Sequence, residues 1–195
     1  MQGAAAVFFG CESEEGCGRP IMTSELETMN VRAANEADVD ALAQIWHDGW
    51  HDAHARIVPA ELARLRTLKS FRDRLHADLG AVRILQTGGS IVGFSMMRGA
   101  ELYQFYVAES FRGSGAAAVL MADAEAQLAA RGVNVAWLAC AIGNDRAARF
   151  YEKCEWTRSG TIINNADTAN GPFPLKVWRY EKSLIAAPPK RDMRG

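Results

Sequence analysis

Residues 107–131 read VAESFRGSGAAAVLMADAEAQLAAR, and this stretch decides the fold. The preceding residues 103–107 are rich in aromatic and β-branched side chains, which is typical of a strand. Gly113 and Gly115 then interrupt the pattern, because glycine adopts backbone angles that other residues avoid. Strong helix formers fill residues 116–131. The stretch therefore predicts a strand, a tight loop and a long helix.

The start of this long helix is a candidate anion site. A loop of small residues that opens a helix directs free backbone N–H groups and the positive end of the helix dipole at one point, where phosphate is the usual ligand. The loop is not a Walker P-loop, because no Gly-Lys-Ser/Thr follows, and it lacks the three glycines of the dinucleotide fingerprint. A turn that caps the helix without any ligand is the alternative interpretation.

Composition limits the classes of protein to which this chain can belong. It has 195 residues, of which 49% are hydrophobic and 23% are charged, as in ordinary globular domains. The net charge of −1 shows no excess of positive charge of the kind that favours binding to nucleic acid or to an anionic membrane. The four cysteines show neither zinc spacing nor a secreted disulfide framework, and no signal peptide is evident. We expect a cytoplasmic protein with no metal, no nucleic-acid partner and no membrane association.

The pattern along the chain predicts one domain, at residues 30–184, between an N-terminal extension (1–29) and a charged tail (185–195). A helix should begin after Asn35, which is a good N-cap, and a second helical stretch should begin near Pro59. Its arginines and lysine, which include Arg66 and Arg74, are interpreted as a solvated basic face. Two strands around Gly88 and Gly89 should form a hairpin, and a buried strand near residues 133–140 should run parallel to the central strand.

Two motifs in this order resemble signatures of the GNAT acetyltransferase superfamily. The first is Arg112-x-x-Gly115-x-Ala117, which resembles the family's pyrophosphate loop. The second is Asn144-x-x-Ala147-x-x-Phe150-Tyr151-x-x-Cys154-x-Trp156, which follows the strand after the long helix. The resemblance covers about residues 30–184. One departure is Glu155, which stands where the family usually has glycine and which tolerates left-handed angles poorly.

The resemblance implies the GNAT fold, which is a mixed α/β (α+β) fold. Its central, mostly antiparallel β-sheet is splayed at two parallel strands and is flanked by about four helices. The resemblance also implies acetyl-CoA as the cofactor, with its arm in the splay and its pyrophosphate on the glycine loop. The implied cofactor-binding residues are Phe105, Tyr106, Val107, Arg112, Gly113, Ser114, Gly115, Ala116, Ala117, Asn144 and Ala147.

The resemblance further implies direct attack of a primary amine on the thioester. Tyr151 is expected to supply a proton to the departing sulfur, and Glu101, at the start of the central strand, is a candidate base. Tyr103 and His54 are the other candidate bases, and water alone is a further alternative. The acceptor pocket should include Trp46, Trp50, His54 and Tyr103. His47, His51 and His54 recur on one helix face, but we favour a pocket-lining role over a metal site.

Of three functions considered from the sequence, we favour the first and keep the other two as alternatives. The first is an N-acetyltransferase that acts on a small-molecule amine. The second is a non-catalytic module that senses acyl-CoA, and the third is an acetyltransferase that acts on a protein N-terminus or lysine. A homodimer is compatible with the family resemblance. The identity of the acceptor does not follow from the sequence.

Overall fold

The computed structural model describes residues 29–185 of the chain. The predicted extension and tail lie almost wholly outside these residues. The described chain runs in the order β1 (Asn30–Ala33), α1 (Val39–His54), α2 (Ala60–Leu65), α3 (Leu68–Ala77), β2 (Val82–Thr87), β3 (Ser90–Arg98), β4 (Glu101–Val107), α4 (Ala116–Ala130), β5 (Val135–Ala141), α5 (Asp145–Lys153), β6 (Thr157–Ala166) and β7 (Phe173–Ser183). No helix within these residues has the length and apolar character needed to span a bilayer.

The strands form one sheet in the order β1-β2-β3-β4-β5-β7-β6. Every neighbouring pair is antiparallel except β4 and β5, which run parallel. These two central strands pair at one position only, Glu101 opposite Trp137, and they separate beyond it. The mixed sheet, the hairpin between β2 and β3, and the splay between two parallel strands are thus confirmed.

Local capping sets where the helices begin. Asn35 forms a capping box with Asp38. The Asp38 carboxylate accepts the Asn35 N–H, and the Asn35 side-chain oxygen accepts the Ala37 N–H. The helical stretch after Pro59 divides in two, because Arg66 adopts φ −90° and ψ 66° and Thr67 then caps α3 through the Ser70 N–H. Five α-helices therefore flank the sheet in the described residues, where about four were expected.

Helices cover both faces of the sheet. One apolar cluster joins α1 and α3 to β2 and β3, and a second joins α4 and α5 to β5 and β7. Trp46 lies in the first cluster and is fully buried, with its ring 5.0 Å from that of Phe71 and 5.5 Å from that of Phe94. The prediction that Trp46 lines the acceptor pocket is wrong, because its position on α1 turns it into the core.

Candidate active site

A cavity of about 530 Å³ opens where β4 and β5 separate. Its "loop end" is formed by Gly113, Gly115 and Ala117, at the start of α4. Its "distal end" lies against α1, α2 and α3 and is formed by Trp50, His54, Leu62, Arg66, Arg74 and Tyr103. Between the two ends the wall includes Phe105, Tyr106, Val107, Ala139, Cys140, Asn144, Ala147, Phe150 and Tyr151.

Backbone N–H groups converge at the loop end. Gly115 takes a left-handed conformation, with φ 84°, immediately before α4. Among the described residues, the backbone N–H groups of Gly113, Gly115 and Ala117 have no acceptor. These free donors lie at the positive end of a helix of 15 residues, which suits a phosphate group.

Two of the predicted cofactor-binding residues support the loop instead of lining the cavity. The Ser114 hydroxyl is buried, donates to the Phe111 carbonyl at 2.7 Å and accepts the Ala116 N–H at 3.1 Å. Ala116 is fully buried under α4. Neither residue is part of the cavity wall, whereas the other predicted cofactor residues are. Ser114 and Ala116 therefore hold the shape that exposes the neighbouring N–H groups.

Two arginines lie beside the loop end and share one carboxylate. Arg112 and Arg146 contact Asp52 at 2.7 and 2.6 Å, and Arg112 also contacts Glu109 at 3.1 Å. Both arginines line the cavity. Asp52 and Glu109 balance their charge, so the two arginines offer an anion hydrogen-bond donors and no net positive charge.

The separation of β4 from β5 leaves backbone groups of β4 without a strand partner. The Ala108 N–H donates to Val92 on β3 at 2.8 Å. Because backbone groups alternate in direction along a strand, those of Phe105 and Val107 point away from β3 and into the gap. The Asn144 side-chain oxygen accepts the Ala147 N–H at 3.2 Å and so caps α5. An extended ligand with amide groups and a terminal pyrophosphate fits this arrangement.

Tyr151 lies on α5 at the wall between the two ends of the cavity. Its ring is held against Phe150 and Tyr180, with centroids 5.7 and 5.8 Å away. Its hydroxyl has no hydrogen-bond partner among the described residues. Burial raises the pKa of Tyr151 well above its ordinary value, so the hydroxyl keeps its proton and remains a donor.

Glu101 lies next to the cavity but is not part of its wall. Burial raises the pKa of its carboxyl to about 7, against the opposing charges of Arg98 and Arg179. The carboxyl would therefore exchange protons near neutral pH. Its role as a base stays a prediction.

The distal end contains three predicted pocket residues, Trp50, His54 and Tyr103. His54 Nδ1 donates to the Trp50 carbonyl at 3.0 Å, and the two rings stack at 5.3 Å. Burial lowers the pKa of His54 to about 4, so this candidate base is neutral at pH 7. The Tyr103 hydroxyl accepts from Arg74 and donates to Asp167 at 2.8 Å, so it is already occupied on both sides.

The three histidines of α1 do not converge. His47 contacts Asp48, and His51 Nε2 lies 2.8 Å from the Arg66 carbonyl, whereas His54 faces the Trp50 carbonyl. Within residues 29–185, no cluster of three or more metal-ligating side chains occurs.

Several residues of the cavity wall are not singled out by the sequence. The expectation that Arg66 and Arg74 are solvated is wrong, because both line the distal end and Arg66 is only 4% exposed. The break between α2 and α3 turns Arg66 inward, and no periodic pattern signals that break. Gln104, Cys140 and Arg146 also lie in the wall, and nothing in their spacing distinguishes them from ordinary strand and helix residues.

Comparison with known proteins agrees with this geometry. Residues 39–156 match the model of the acetyltransferase (GNAT) family. Over 112 residues the chain is 35% identical to an uncharacterized N-acetyltransferase of Mycobacterium tuberculosis and to one of Mycobacterium bovis, which covers 55% of this chain and 69% of each relative.

Solved structures share the fold. A GCN5-related N-acetyltransferase from Rhodopseudomonas palustris superposes with a TM-score of 0.64 at 21% identity, covering 85% of this chain and 99% of that one. A PaiA N-acetyltransferase from Thermoplasma acidophilum, solved in complex with coenzyme A, gives 0.61 at 15% identity, covering 80% and 98%.

Proposed function

Because the chain belongs to the acetyltransferase (GNAT) family, we propose that it transfers the acetyl group of acetyl-CoA to the primary amine of a small molecule. The observation that carries this proposal is the continuous cavity that joins the loop end to the distal end past Tyr151. The loop end suits the pyrophosphate of the cofactor. The distal end is partly enclosed by aromatic and aliphatic side chains, which suits a small acceptor.

The residues of the gap would hold the cofactor. Acetyl-CoA supplies an acetyl group that is activated as a thioester. The N–H groups of Gly113, Gly115 and Ala117 would bind its phosphates, and the free backbone groups of Phe105 and Val107 would bind its amide arm. This placement directs the reactive end of the arm toward Tyr151.

Tyr151 would stabilise the sulfur as it leaves. Its hydroxyl is a free donor on the cavity wall, and its pKa is raised by burial. A thiol has a pKa of about 8.5, so the tyrosine holds its proton more tightly than the departing sulfur does. Tyr151 would therefore act by donating a hydrogen bond, and any proton that it passes to sulfur would have to be replaced at once from the amine.

The amine has to be neutral when it attacks. His54 accepts a proton only near pH 4 and is a weak base, and Tyr103 is occupied on both sides. Glu101 has a pKa of about 7, but it is not part of the cavity wall. We therefore propose that the amine loses its proton to water in the cavity, with Glu101 as a carboxyl that could receive it through that water.

Cys140 does not suit a covalent intermediate. Its thiol lies in the cavity wall, 3.8 and 3.9 Å from the carbonyl oxygens of Ala141 and Asn144. Burial raises its pKa to about 12, so the thiolate that would attack an acetyl group is not formed near neutral pH. This supports direct transfer from cofactor to amine.

The decisive experiment measures acetyl-CoA binding by calorimetry and then thiol release in the presence of a panel of amines. Binding with turnover of a small amine supports the proposal. Binding without turnover of any small amine would favour acyl-CoA sensing or a protein acceptor. Absence of acetyl-CoA binding would overturn the function together with the interpretation of both motifs.

A further inference from the structure

Two arginines dominate the charge at the distal end of the cavity. Arg66 stands at the break between α2 and α3, and Arg74 lies on α3. Both line the cavity, and the side chain of Arg66 is almost completely buried. A buried guanidinium is costly unless an anion or a full set of acceptors surrounds it. The groups that contact Arg66 and Arg74 therefore indicate which kind of ligand the site would bind.

Neither arginine has a carboxylate partner. Among the described residues, no Asp or Glu oxygen lies within ion-pair distance of either one. Arg66 donates one side-chain hydrogen bond, to the backbone carbonyl of Asp167, and Arg74 donates to the Tyr103 hydroxyl. The Nε atoms of both arginines are buried without any acceptor.

The nearest candidate counter-ion is engaged elsewhere. The Asp167 carboxylate accepts from Arg98 at 2.7 Å and from Tyr103 at 2.8 Å. Arg98 also contacts Asp78, so this one arginine faces two carboxylates and the neighbouring group carries one net negative charge. His54 is neutral at pH 7 because burial lowers its pKa. Arg66 and Arg74 thus have no direct carboxylate partner among the described residues. Three arginines against the carboxylates of Asp78 and Asp167 leave the distal end with one net positive charge.

Aromatic rings hold the two guanidinium groups in place. Arg66 lies over the Trp50 ring at 5.8 Å, and Arg74 lies over the Trp46 ring at 4.3 Å. A guanidinium that is already stacked loses little side-chain entropy when it binds a ligand. Burial and the charge of Arg74 lower the pKa of Arg66 to about 10, so it remains charged at neutral pH. An incoming anion would relieve the cost of burying these charges.

We propose that the acceptor is a primary amine that also bears a carboxylate, and that Arg66 and Arg74 bind this carboxylate. This inference rests on the proposed function and narrows its substrate. A planar guanidinium matches the two oxygens of a carboxylate, so the pair orients the amine with respect to Tyr151. A polyamine or another purely cationic amine is repelled by the same charges. Leu62, Val58 and Trp50 beside the arginines favour an amino acid with an apolar side chain.

The first test compares matched acceptors on the wild-type enzyme. The probes are phenylalanine, phenylalaninamide and phenethylamine, followed by the same three forms of leucine and methionine. Loss of a charge-assisted pair should lower kcat/KM for the amide and the amine by at least about tenfold relative to the acid. Equal kcat/KM values for acid and amide across the panel would overturn the inference while leaving the acetyltransferase function standing.

The second test changes the arginines. Arg66→Gln and Arg74→Gln should each raise KM for the acid by at least about tenfold while leaving KM for the amide and the Kd of acetyl-CoA nearly unchanged. Arg64→Gln and Arg72→Gln are the matched controls. Arg64 is exposed, Arg72 pairs with Asp40 outside the cavity, and both controls should behave as wild type. If Arg66→Gln does not fold, the Arg74→Gln variant and the comparison of acceptors on the wild type still test the carboxylate site.

A third measurement covers the case in which acetyl-CoA binds and no panel amine is turned over. Calorimetry then compares N-acetylphenylalanine with N-acetylphenylalaninamide on the wild type and on Arg74→Gln. Tighter binding of the acid, lost in the variant, supports the carboxylate site. Binding of neither compound, or of both equally, overturns it. If acetyl-CoA itself does not bind, the proposed function has failed and the carboxylate site falls with it.

Discussion

Tyr151 combines two properties that a single residue rarely shows together, a hydroxyl without a partner among the described residues and a ring held on two sides by Phe150 and Tyr180. Buried tyrosine hydroxyls usually find a partner. A free one on a cavity wall is therefore available to a ligand. The second motif predicts this position from the sequence, because the residues after Asn144 place Tyr151 on the face of α5 that meets the gap.

Replacing Tyr151 tests its role directly. Tyr151→Phe should lower kcat at least about tenfold, or about 1.4 kcal/mol of transition-state stabilisation, while the Kd of acetyl-CoA stays nearly unchanged. The reason is that the lost hydrogen bond forms only as charge develops on sulfur. Steady-state kinetics and calorimetry measure the two quantities.

Tyr180→Phe is the matched control for this substitution. The Tyr180 hydroxyl contacts Glu152 at 3.1 Å and lies outside the cavity wall. Its removal should leave kcat close to that of the wild type. An unchanged kcat in Tyr151→Phe would rule out the assigned role.

Residue identity alone could not predict the environments of Trp46 and Arg66. Both positions follow from the packing of α1 against α3 and from the interruption at Thr67, which are tertiary features. An arginine in a basic helical stretch is normally solvated, so nothing in the sequence pattern indicates a buried guanidinium. The charge of the distal end is therefore visible only in three dimensions.

At the scale of single elements, α4 and its loop form the proposed anion site. Gly115 has a φ of 84°, which costs residues with a side chain about 1–2 kcal/mol, and it lines the loop end where we propose that a phosphate binds. The glycine spacing of the loop predicts both the turn and the helix that follows it. It does not predict that Ser114 turns inward to support the loop.

Gly115→Val should therefore weaken acetyl-CoA binding by at least about thirtyfold, measured by calorimetry. Gly132→Val provides the control at the other end of the same helix. Gly132 has a φ of 79°, and a Cβ added there would meet no heavy atom within 4 Å, so that variant bears a similar backbone penalty away from the cavity. It should lose stability but keep its affinity. Equal losses of affinity in both variants would argue against a specific anion site.

The residue after the end of α5 has a backbone conformation that is unfavourable for its type. Glu155 has a φ of 65°, and the Trp156 and Glu155 N–H groups bond to Tyr151 and Glu152 in a Schellman arrangement, which normally ends in glycine. The family pattern predicts this conflict from the sequence.

Glu155→Gly should raise the free energy of unfolding by about 0.5–1 kcal/mol, because the left-handed penalty exceeds the entropic cost of glycine. Urea denaturation measures the change. Lys153→Gly, within the last turn of the same helix, should have the opposite sign. A destabilised Glu155→Gly variant would contradict the strain argument.

At the scale of the whole molecule, global unfolding releases Glu101 from its buried position. The pKa of Glu101 is about 7 in the folded protein and 4.5 in its ordinary state. The native state therefore keeps the Glu101 proton up to a higher pH than the unfolded state does. The native state therefore loses stability as pH rises from about 4.5 to about 7, and the loss stays constant above pH 7.

Glu101→Gln should remove this pH-dependent loss. The variant should match the wild type at low pH and exceed its stability at pH 8 by on the order of 1 kcal/mol, after allowance for solvent screening of a partly exposed group. Urea denaturation at a series of pH values measures the difference. Glu61→Gln, at an exposed position on α2, should show no such trend. A constant difference between Glu101→Gln and wild type at all pH values would contradict the burial of a charge there.

Chain order predicts the parallel pair of strands, and the family resemblance carried by the two motifs implies the mixed sheet and the gap in it. The extent of the gap is not predictable from the sequence, because it depends on the pairing of β4 and β5 at one position.

That solitary pairing, Glu101 opposite Trp137, divides the sheet into a block of four strands and a block of three. The compliance of the molecule is therefore concentrated along one line, while each block is stiffened by its own antiparallel ladders. With the proposed cofactor lying in the gap, hydrogen bonds would run from one block through the ligand to the other, and the molecule would become mechanically continuous. Departure of coenzyme A would undo that continuity, so the stiffness of the protein would rise and fall once in every catalytic cycle.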